Sequence, residues 1–146
     1  MSEIRLKYLK RTSYIVVIVL FLAAGLTCST HSDATSNSSD LIGKWVGATK
    51  DAAGEKVAVD LAIEAGDGRM NGVLDYGPSR SCTSNAVLVD SKDRMHTFRF
   101  SEADGGWCRK LTDGVMELTE TGDGKLSMRV RNSKKDVDET ADIHKQ

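Results

Sequence analysis

Two of the three cysteines in this chain are flanked by aromatic and basic residues. Residues 76–80 (YGPSR) precede Cys82, and residues 107–110 (WCRK) surround Cys108. A disulfide between these cysteines would bring the two segments together, and aromatic residues with arginine are favoured in binding hot spots. The alternative is that the two aromatic rings close off a small core and the basic groups are solvated. The candidate binding patch consists of Tyr76, Arg80, Trp107, Arg109 and Lys110.

The chemistry expected of the cysteines is a disulfide. Cys28 is assigned to the N-terminal export segment, where it would be either removed or lipidated, which leaves Cys82 and Cys108 as an even pair that an oxidising compartment would join. Such a bond would stabilise the fold by roughly 3–4 kcal/mol in the chain-entropy model. A two-cysteine metal site is the alternative, but neither cysteine has a histidine or a second cysteine at ligand spacing. We therefore expect a disulfide, no metal and no cofactor.

Catalytic motifs are not visible in the sequence. The histidines, His31, His96 and His144, are scattered along the chain, and no order typical of a Ser/His/Asp set can be assigned to them. There is no His-Glu-x-x-His segment, no phosphate loop and no dinucleotide fingerprint. The carboxylates are also too dispersed for a glycosidase pair to be chosen. We expect a protein that is not an enzyme, with a small exported hydrolase as an alternative.

The N-terminal segment has the pattern of an export signal. A basic stretch at residues 1–13 precedes 13 uncharged apolar residues at 14–26 (YIVVIVLFLAAGL), and about 20 are usual for a spanning helix. A basic start, a short apolar core and small residues are typical of a secretory signal. Three outcomes stay open: cleavage after Gly25 or Ala34, lipidation of Cys28, or retention as a membrane anchor. Each places the folded region in the periplasm, on the outer face of the membrane, or outside the cell.

The net charge of the chain after residue 26 limits the kinds of partner that it can bind. Four of the 20 basic residues and one of the 21 acidic residues lie in residues 1–26, which leaves 16 basic and 20 acidic groups in the rest. This acidic balance argues against nucleic acid, which would require a basic face. We expect a protein, a glycan or a small ligand of the cell envelope as partner. Contact with the membrane would be made by the N-terminal segment or by a lipid on Cys28.

From residue 41 onward the sequence consists of short alternating segments separated by turn residues. Residues 56–65 (KVAVDLAIEA) alternate apolar and polar positions, as in a strand with one buried face. Gly-Asp-Gly at 66–68 and at 122–124 predicts tight hairpins, because glycine tolerates positive φ. The predicted strands are 41–49, 56–65, 69–76, 81–90, 95–101, 114–121 and 125–131.

These segments predict an all-β fold, an antiparallel meander of seven or eight short strands that forms a small barrel or sandwich. Trp45, Phe98 and Phe100 are predicted to lie in its core. The chain length of 146 residues is that of one domain. We expect a signal peptide or membrane-anchor helix at 1–27, a flexible polar linker at 28–40, the β-domain at 41–131 and a frayed polar tail at 132–146.

Two resemblances support this interpretation. Residues 41–45 (LIGKW) resemble the first strand of lipocalin- and avidin-type barrels, in which Gly-x-Trp closes one end. More of the domain resembles a small disulfide-bonded extracytoplasmic β-domain of bacterial lipoproteins and of membrane kinase sensor regions. This second resemblance implies a binding or sensing role. The residues that match it are Gly43, Trp45, Gly72, Tyr76, Cys82, Gly106, Cys108 and Leu118.

The function expected from the sequence is that of a non-enzymatic binding or sensing protein of the bacterial envelope, located outside the cytoplasm. The first alternative is an inhibitor or immunity protein that blocks a lysozyme-like or toxin enzyme. Small exported β-domains suit such a role, although the fold alone does not imply it. The second alternative is the small exported hydrolase.

Overall fold

Residues 38–146 are described by a computed structural model, in which eight strands form one sheet. A short 3-10 helix, η1 (Ser38–Leu41), precedes the sheet, and a second, η2 (Cys108–Leu111), lies between the fifth and sixth strands. The strands are β1 (Gly43–Lys50), β2 (Lys56–Gly66), β3 (Arg69–Tyr76), β4 (Cys82–Lys92), β5 (Met95–Asp104), β6 (Val115–Gly122), β7 (Lys125–Arg131) and β8 (Asp138–Lys145).

The sheet closes into a barrel. Each strand pairs antiparallel with the next along the chain, and β8 pairs with β1. The predicted all-β antiparallel meander is confirmed, and the closure decides in favour of the barrel over the sandwich. The two Gly-Asp-Gly segments connect β2 to β3 and β6 to β7, as predicted. In the first of them, Asp67 and Gly68 have φ values of 51° and 71°, which explains why glycine is favoured there.

The connections of this barrel lie at two ends, which carry different groups. At one end, here called the disulfide end, lie the β1–β2, β3–β4, β5–β6 and β7–β8 connections. At the other, the Trp45 end, lie η1, the three remaining hairpins and the C-terminus. The indole N–H of Trp45 donates to the carbonyl oxygen of Leu41 at 2.8 Å, and both residues are buried. The tryptophan and η1 therefore close this end together.

The inside of the barrel is filled with apolar side chains. Trp45, Phe98 and Phe100 are buried, as the sequence predicted. Burying one large apolar side chain stabilises a fold by about 1.5–3 kcal/mol, so this interior is a main source of stability. Around the aromatic rings pack side chains that are less than 2% exposed: Leu61, Ile63, Leu74, Met116, Leu118, Met128 and Ile143.

The C-terminal segment corrects the sequence analysis. The tail predicted to be frayed at 132–146 contains β8, which pairs with β7 on one side and with β1 on the other. Ala141 and Ile143 point into the core, whereas Asp142 and His144 are exposed. The strand was missed because only two apolar residues mark its inner face in an otherwise polar segment. The β-domain therefore extends to Lys145 instead of ending at residue 131.

The N-terminal predictions concern residues that are only partly described. The signal or anchor segment, Cys28 and the linker up to residue 37 lie outside the described residues. The last part of the predicted linker belongs to η1, whose Leu41 is 1% exposed. Within residues 38–146, no helix is long and apolar enough to cross a membrane.

Candidate binding site at the disulfide end

A disulfide joins the beginning of β4 to η2. Cys82 and Cys108 are bonded, their Cα atoms lie 5.7 Å apart, and both residues are buried. The predicted pairing is therefore confirmed. Gly105 lies directly against this bond, with a φ of 90°, and a Cβ atom there would lie 2.6 Å from the Cβ of Cys82. Only glycine fits this position, because a larger residue would have both a strained backbone and a steric clash.

The disulfide brings three of the five predicted patch residues into one stack. The guanidinium carbon of Arg80 lies 3.6 Å from the ring centroid of Trp107 and 4.8 Å from that of Tyr76. The two aromatic rings meet edge to face, with centroids 4.9 Å apart. Both contacts are attractive, because the face of an aromatic ring is negative and its edge is positive. We call Tyr76, Arg80 and Trp107 the aromatic–arginine stack.

A carboxylate from the last strand fixes the stack. Both terminal nitrogens of Arg80 donate to the Glu139 carboxylate, each at 2.7 Å. The two side chains are 7% and 16% exposed, so the pair is largely withdrawn from water. A bidentate arginine–carboxylate pair is among the stronger and more directional contacts in proteins. Glu139 was missed by the sequence analysis because it lies in the segment interpreted as a tail.

Tyr76 is the most deeply buried member of the stack. It is 1% exposed, and its hydroxyl is shielded from solvent. Burial raises the pKa of Tyr76, nearby Glu139 raises it further, and Arg80 opposes both effects. The phenol therefore remains neutral and serves as a packing surface. Of the stack, Trp107 is half-buried whereas the Arg80 side chain is 7% exposed, so Trp107 is the member that a partner can contact.

A polar cleft at the same end of the barrel is lined in part by the other two predicted patch residues, Arg109 and Lys110. Both are exposed on η2. The cleft has a volume of about 240 Å³, and its polar lining holds three cations and two carboxylates. The lining residues are Arg109, Lys110, Thr112, Asp113, Asn132, Ser133, Lys134 and Asp136.

Asn132 is the buried residue that shapes this cleft. Its side-chain amide donates to the Lys110 carbonyl oxygen at 2.9 Å and also to Asp136, and its side-chain oxygen accepts from the backbone N–H of Val137. The hydrogen bond from Asn132 lowers the pKa of Asp136. This asparagine therefore ties η2 to the loop before β8. Like Glu139, it lies in the segment that was predicted to be a frayed tail.

The structure also forms a polar cluster that the sequence analysis did not anticipate. At the Trp45 end, the His96 ring lies between Ser91 and Glu120, within hydrogen-bonding distance of each. These residues are separated along the chain, and their contact depends on the strand register. No group of three or more histidine, cysteine or acidic side chains within residues 38–146 is placed to hold a metal ion.

The function of this chain is inferred from its fold and from the side chains described above. No protein-family model, curated protein or solved structure matches the chain. The class that the structure defines is a closed eight-stranded antiparallel barrel stapled by one disulfide. Its stapled end presents an aromatic–arginine stack and a polar cleft.

Proposed function

We propose that this chain is a binding protein of the bacterial envelope that recognises a protein partner with its disulfide end. One observation carries the proposal, namely the aromatic–arginine stack held on one side by the disulfide and on another by Glu139. A contact group that is already fixed loses little conformational entropy on binding. Tryptophan and arginine are also the residues enriched in binding hot spots.

The packed interior supports an outer binding surface. A barrel that carries a ligand inside needs an internal space, whereas the interior positions here are occupied by large apolar side chains such as Phe98, Met116 and Leu118. The partner is therefore expected to contact the end of the barrel. Arg109, Lys110 and Lys134 line the polar cleft at this end and favour a partner with an acidic surface, since complementary charge speeds association and fixes orientation.

The location we propose is outside the cytoplasm. An intramolecular disulfide is consistent with it, because such bonds persist in oxidising compartments. The signal-like segment at 14–26 supports export to the periplasm or the outer face of the membrane. The tether would be a lipid on Cys28 or the retained N-terminal segment, and cleavage would release a soluble form.

The proposal is tested by capture from envelope extracts with the tagged full-length protein. We expect a specific partner, identified by mass spectrometry, that is lost with Trp107→Ala and weakened with Arg109→Ala. Arg69→Ala is the matched control, because Arg69 is an exposed arginine in the β2–β3 hairpin at the opposite end. A partner retained by both disulfide-end variants and lost with Arg69→Ala would overturn the assignment of this surface.

An inhibitor or immunity role is the second form that this binding could take. The rigidity of the stack favours it, because a pre-organised surface suits a tight one-to-one block of an enzyme. In that case the captured partner is a lysozyme-like or toxin enzyme, and the purified protein inhibits it at equimolar concentration. Full activity of the enzyme within the complex would assign a sensing role instead.

A further inference from the structure

Ser91, His96 and Glu120 form a hydrogen-bonded chain at the Trp45 end. The Ser91 hydroxyl lies 2.9 Å from Nδ1 of His96, and Nε2 of the same ring lies 3.0 Å from the Glu120 carboxylate. The histidine side chain is fully buried, Glu120 is 24% exposed, and Ser91 is exposed. A base is thus shielded from water while the hydroxyl beside it remains accessible.

Strand register brings the three residues together. Ser91 on β4 lies opposite His96 on β5, and His96 in turn lies opposite Leu118 on β6, two residues before Glu120. A register shift between Leu88 and Asp90 leaves one extra residue in β4. Bulges of this kind re-aim the side chains that follow them. The shift places Ser91 against the inward-facing imidazole.

The contact with Glu120 favours one tautomer of the ring. With its proton on Nε2, the ring donates to Glu120, because an ionised carboxylate only accepts hydrogen bonds. Nδ1 is then unprotonated and accepts the hydrogen bond of the Ser91 hydroxyl. A hydroxyl that donates to a basic nitrogen, which is oriented in turn by a carboxylate, is the arrangement of an activated serine.

We propose that Ser91 is a nucleophile that takes an acyl group from an ester, with His96 as general base and Glu120 as its positioning residue. In the first step the Ser91 oxygen bonds to the carbonyl carbon, its proton passes to Nδ1, and the departing alcohol takes that proton. Water then attacks the acyl-serine, protonates Nδ1 and releases the acid, and Ser91 recovers its proton. This activity goes beyond the proposed binding function and uses the opposite end of the barrel.

A neighbouring cleft indicates the class of ester. It has a volume of about 300 Å³ and is lined by Glu120, the member of the chain that reaches it, and by Arg94 and Asp40. Lys125 and Lys145 add two further cations to the rim. An ester with a carboxylate group and a short apolar chain therefore matches this cleft. The apolar part of its lining is Leu41, Trp45 and Leu126.

The reactivity of Ser91 is tested with a fluorophosphonate probe on the full-length protein, with the modified residue located by mass spectrometry. We expect modification at Ser91, none in Ser91→Ala, and an unchanged rate in Ser101→Ala. Ser101 is a suitable control because it is an exposed strand serine whose hydroxyl donates to the Asn85 carbonyl oxygen instead of to a base. An unmodified Ser91 in the wild-type protein would overturn the proposal.

The roles of the other two residues are tested by the rate of modification. His96→Gln should slow it at least about 100-fold, the lower limit usual for a general base. Because His96 is fully buried, Glu120→Gln is the second variant, and Glu120→Asp should recover part of the lost rate by restoring the carboxylate. A normal rate in folded Glu120→Gln would exclude this activation of Ser91.

The ester class is tested by comparing the p-nitrophenyl ester of acetate with the mono-p-nitrophenyl ester of succinate. We expect faster, Ser91-dependent hydrolysis of the succinate ester, and we expect Arg94→Gln to remove that preference. Equal rates for the two esters with the wild-type protein would refute the assignment of the cleft.

Discussion

Glu139→Ala should lower the free energy of unfolding by roughly 3 kcal/mol, because it leaves the Arg80 guanidinium buried without its anion. Leaving one partner of a buried ion pair uncompensated costs about 3–5 kcal/mol, whereas an exposed pair contributes roughly 0–1 kcal/mol. With side-chain exposures of 7% for Arg80 and 16% for Glu139, the pair lies near the buried limit. Its residual exposure places the expected loss at the lower end of that range.

The assay is urea unfolding with the disulfide intact, followed by far-UV circular dichroism and by tryptophan fluorescence. A loss of this size in a domain of about 100 residues corresponds to a decrease in Tm of about 12 °C or more. Arg80→Met keeps the apolar stem and removes the charge. The double variant should therefore lose less stability than the sum of the two single variants, because each already breaks the same interaction.

The neighbouring residue provides the matched control. Asp138 also makes a bidentate contact, with Arg129 at 2.7 and 2.8 Å, but both of these side chains are about half exposed. Asp138→Ala should leave the urea midpoint nearly unchanged, since many exposed ion pairs contribute nothing measurable. If Glu139→Ala and Asp138→Ala both left the urea midpoint nearly unchanged, the conclusion that Arg80 is a buried charge that requires the Glu139 carboxylate would be wrong.

Three further predictions concern stability. Replacing Cys82 and Cys108 with serine should lower the free energy of unfolding by about 3.5 kcal/mol, from the 26-residue separation of the cysteines; an unchanged urea midpoint would contradict this. The raised pKa of Tyr76 keeps the phenol protonated in the folded state at high pH. The free energy of unfolding should therefore be unaffected below pH 10, about the pKa of tyrosine in the unfolded chain, and should decrease as the pH rises above that value. Urea midpoints at pH 9 and 11 should show this loss in the wild type and less of it in Tyr76→Phe. Ile143→Ala should cost about 3 kcal/mol because Ile143 is 1% exposed in the closing strand, and a cost below about 1 kcal/mol would mean that β8 contributes little.

The sequence determined the class of the fold and most of its strands. Seven strands were predicted to within three residues at each end, because each has a turn signal beside it and alternating apolar residues within it. Residues 69–76 and 125–131 match β3 and β7 at both ends for that reason. The Cys82–Cys108 bond also followed from the sequence, since only two cysteines remain when Cys28 is assigned to the predicted N-terminal signal or anchor region. These are local or counting arguments, and they need no knowledge of distant contacts.

Only the tertiary structure shows that β8 forms and which side chains on different strands lie next to each other. Ala141 and Ile143 are too few to mark β8 by periodicity, and the strand is stabilised by its pairing with both β7 and β1. The position of Glu139 beside Arg80 depends on that pairing, because 59 residues of chain separate the two.

The cluster at the Trp45 end has the same origin. Ser91, His96 and Glu120 lie on three adjacent strands, and a register shift of one residue would turn their side chains to opposite faces. Residue types and spacing along the chain do not contain this information. It arises when backbone hydrogen bonds between distant segments fix which positions lie side by side.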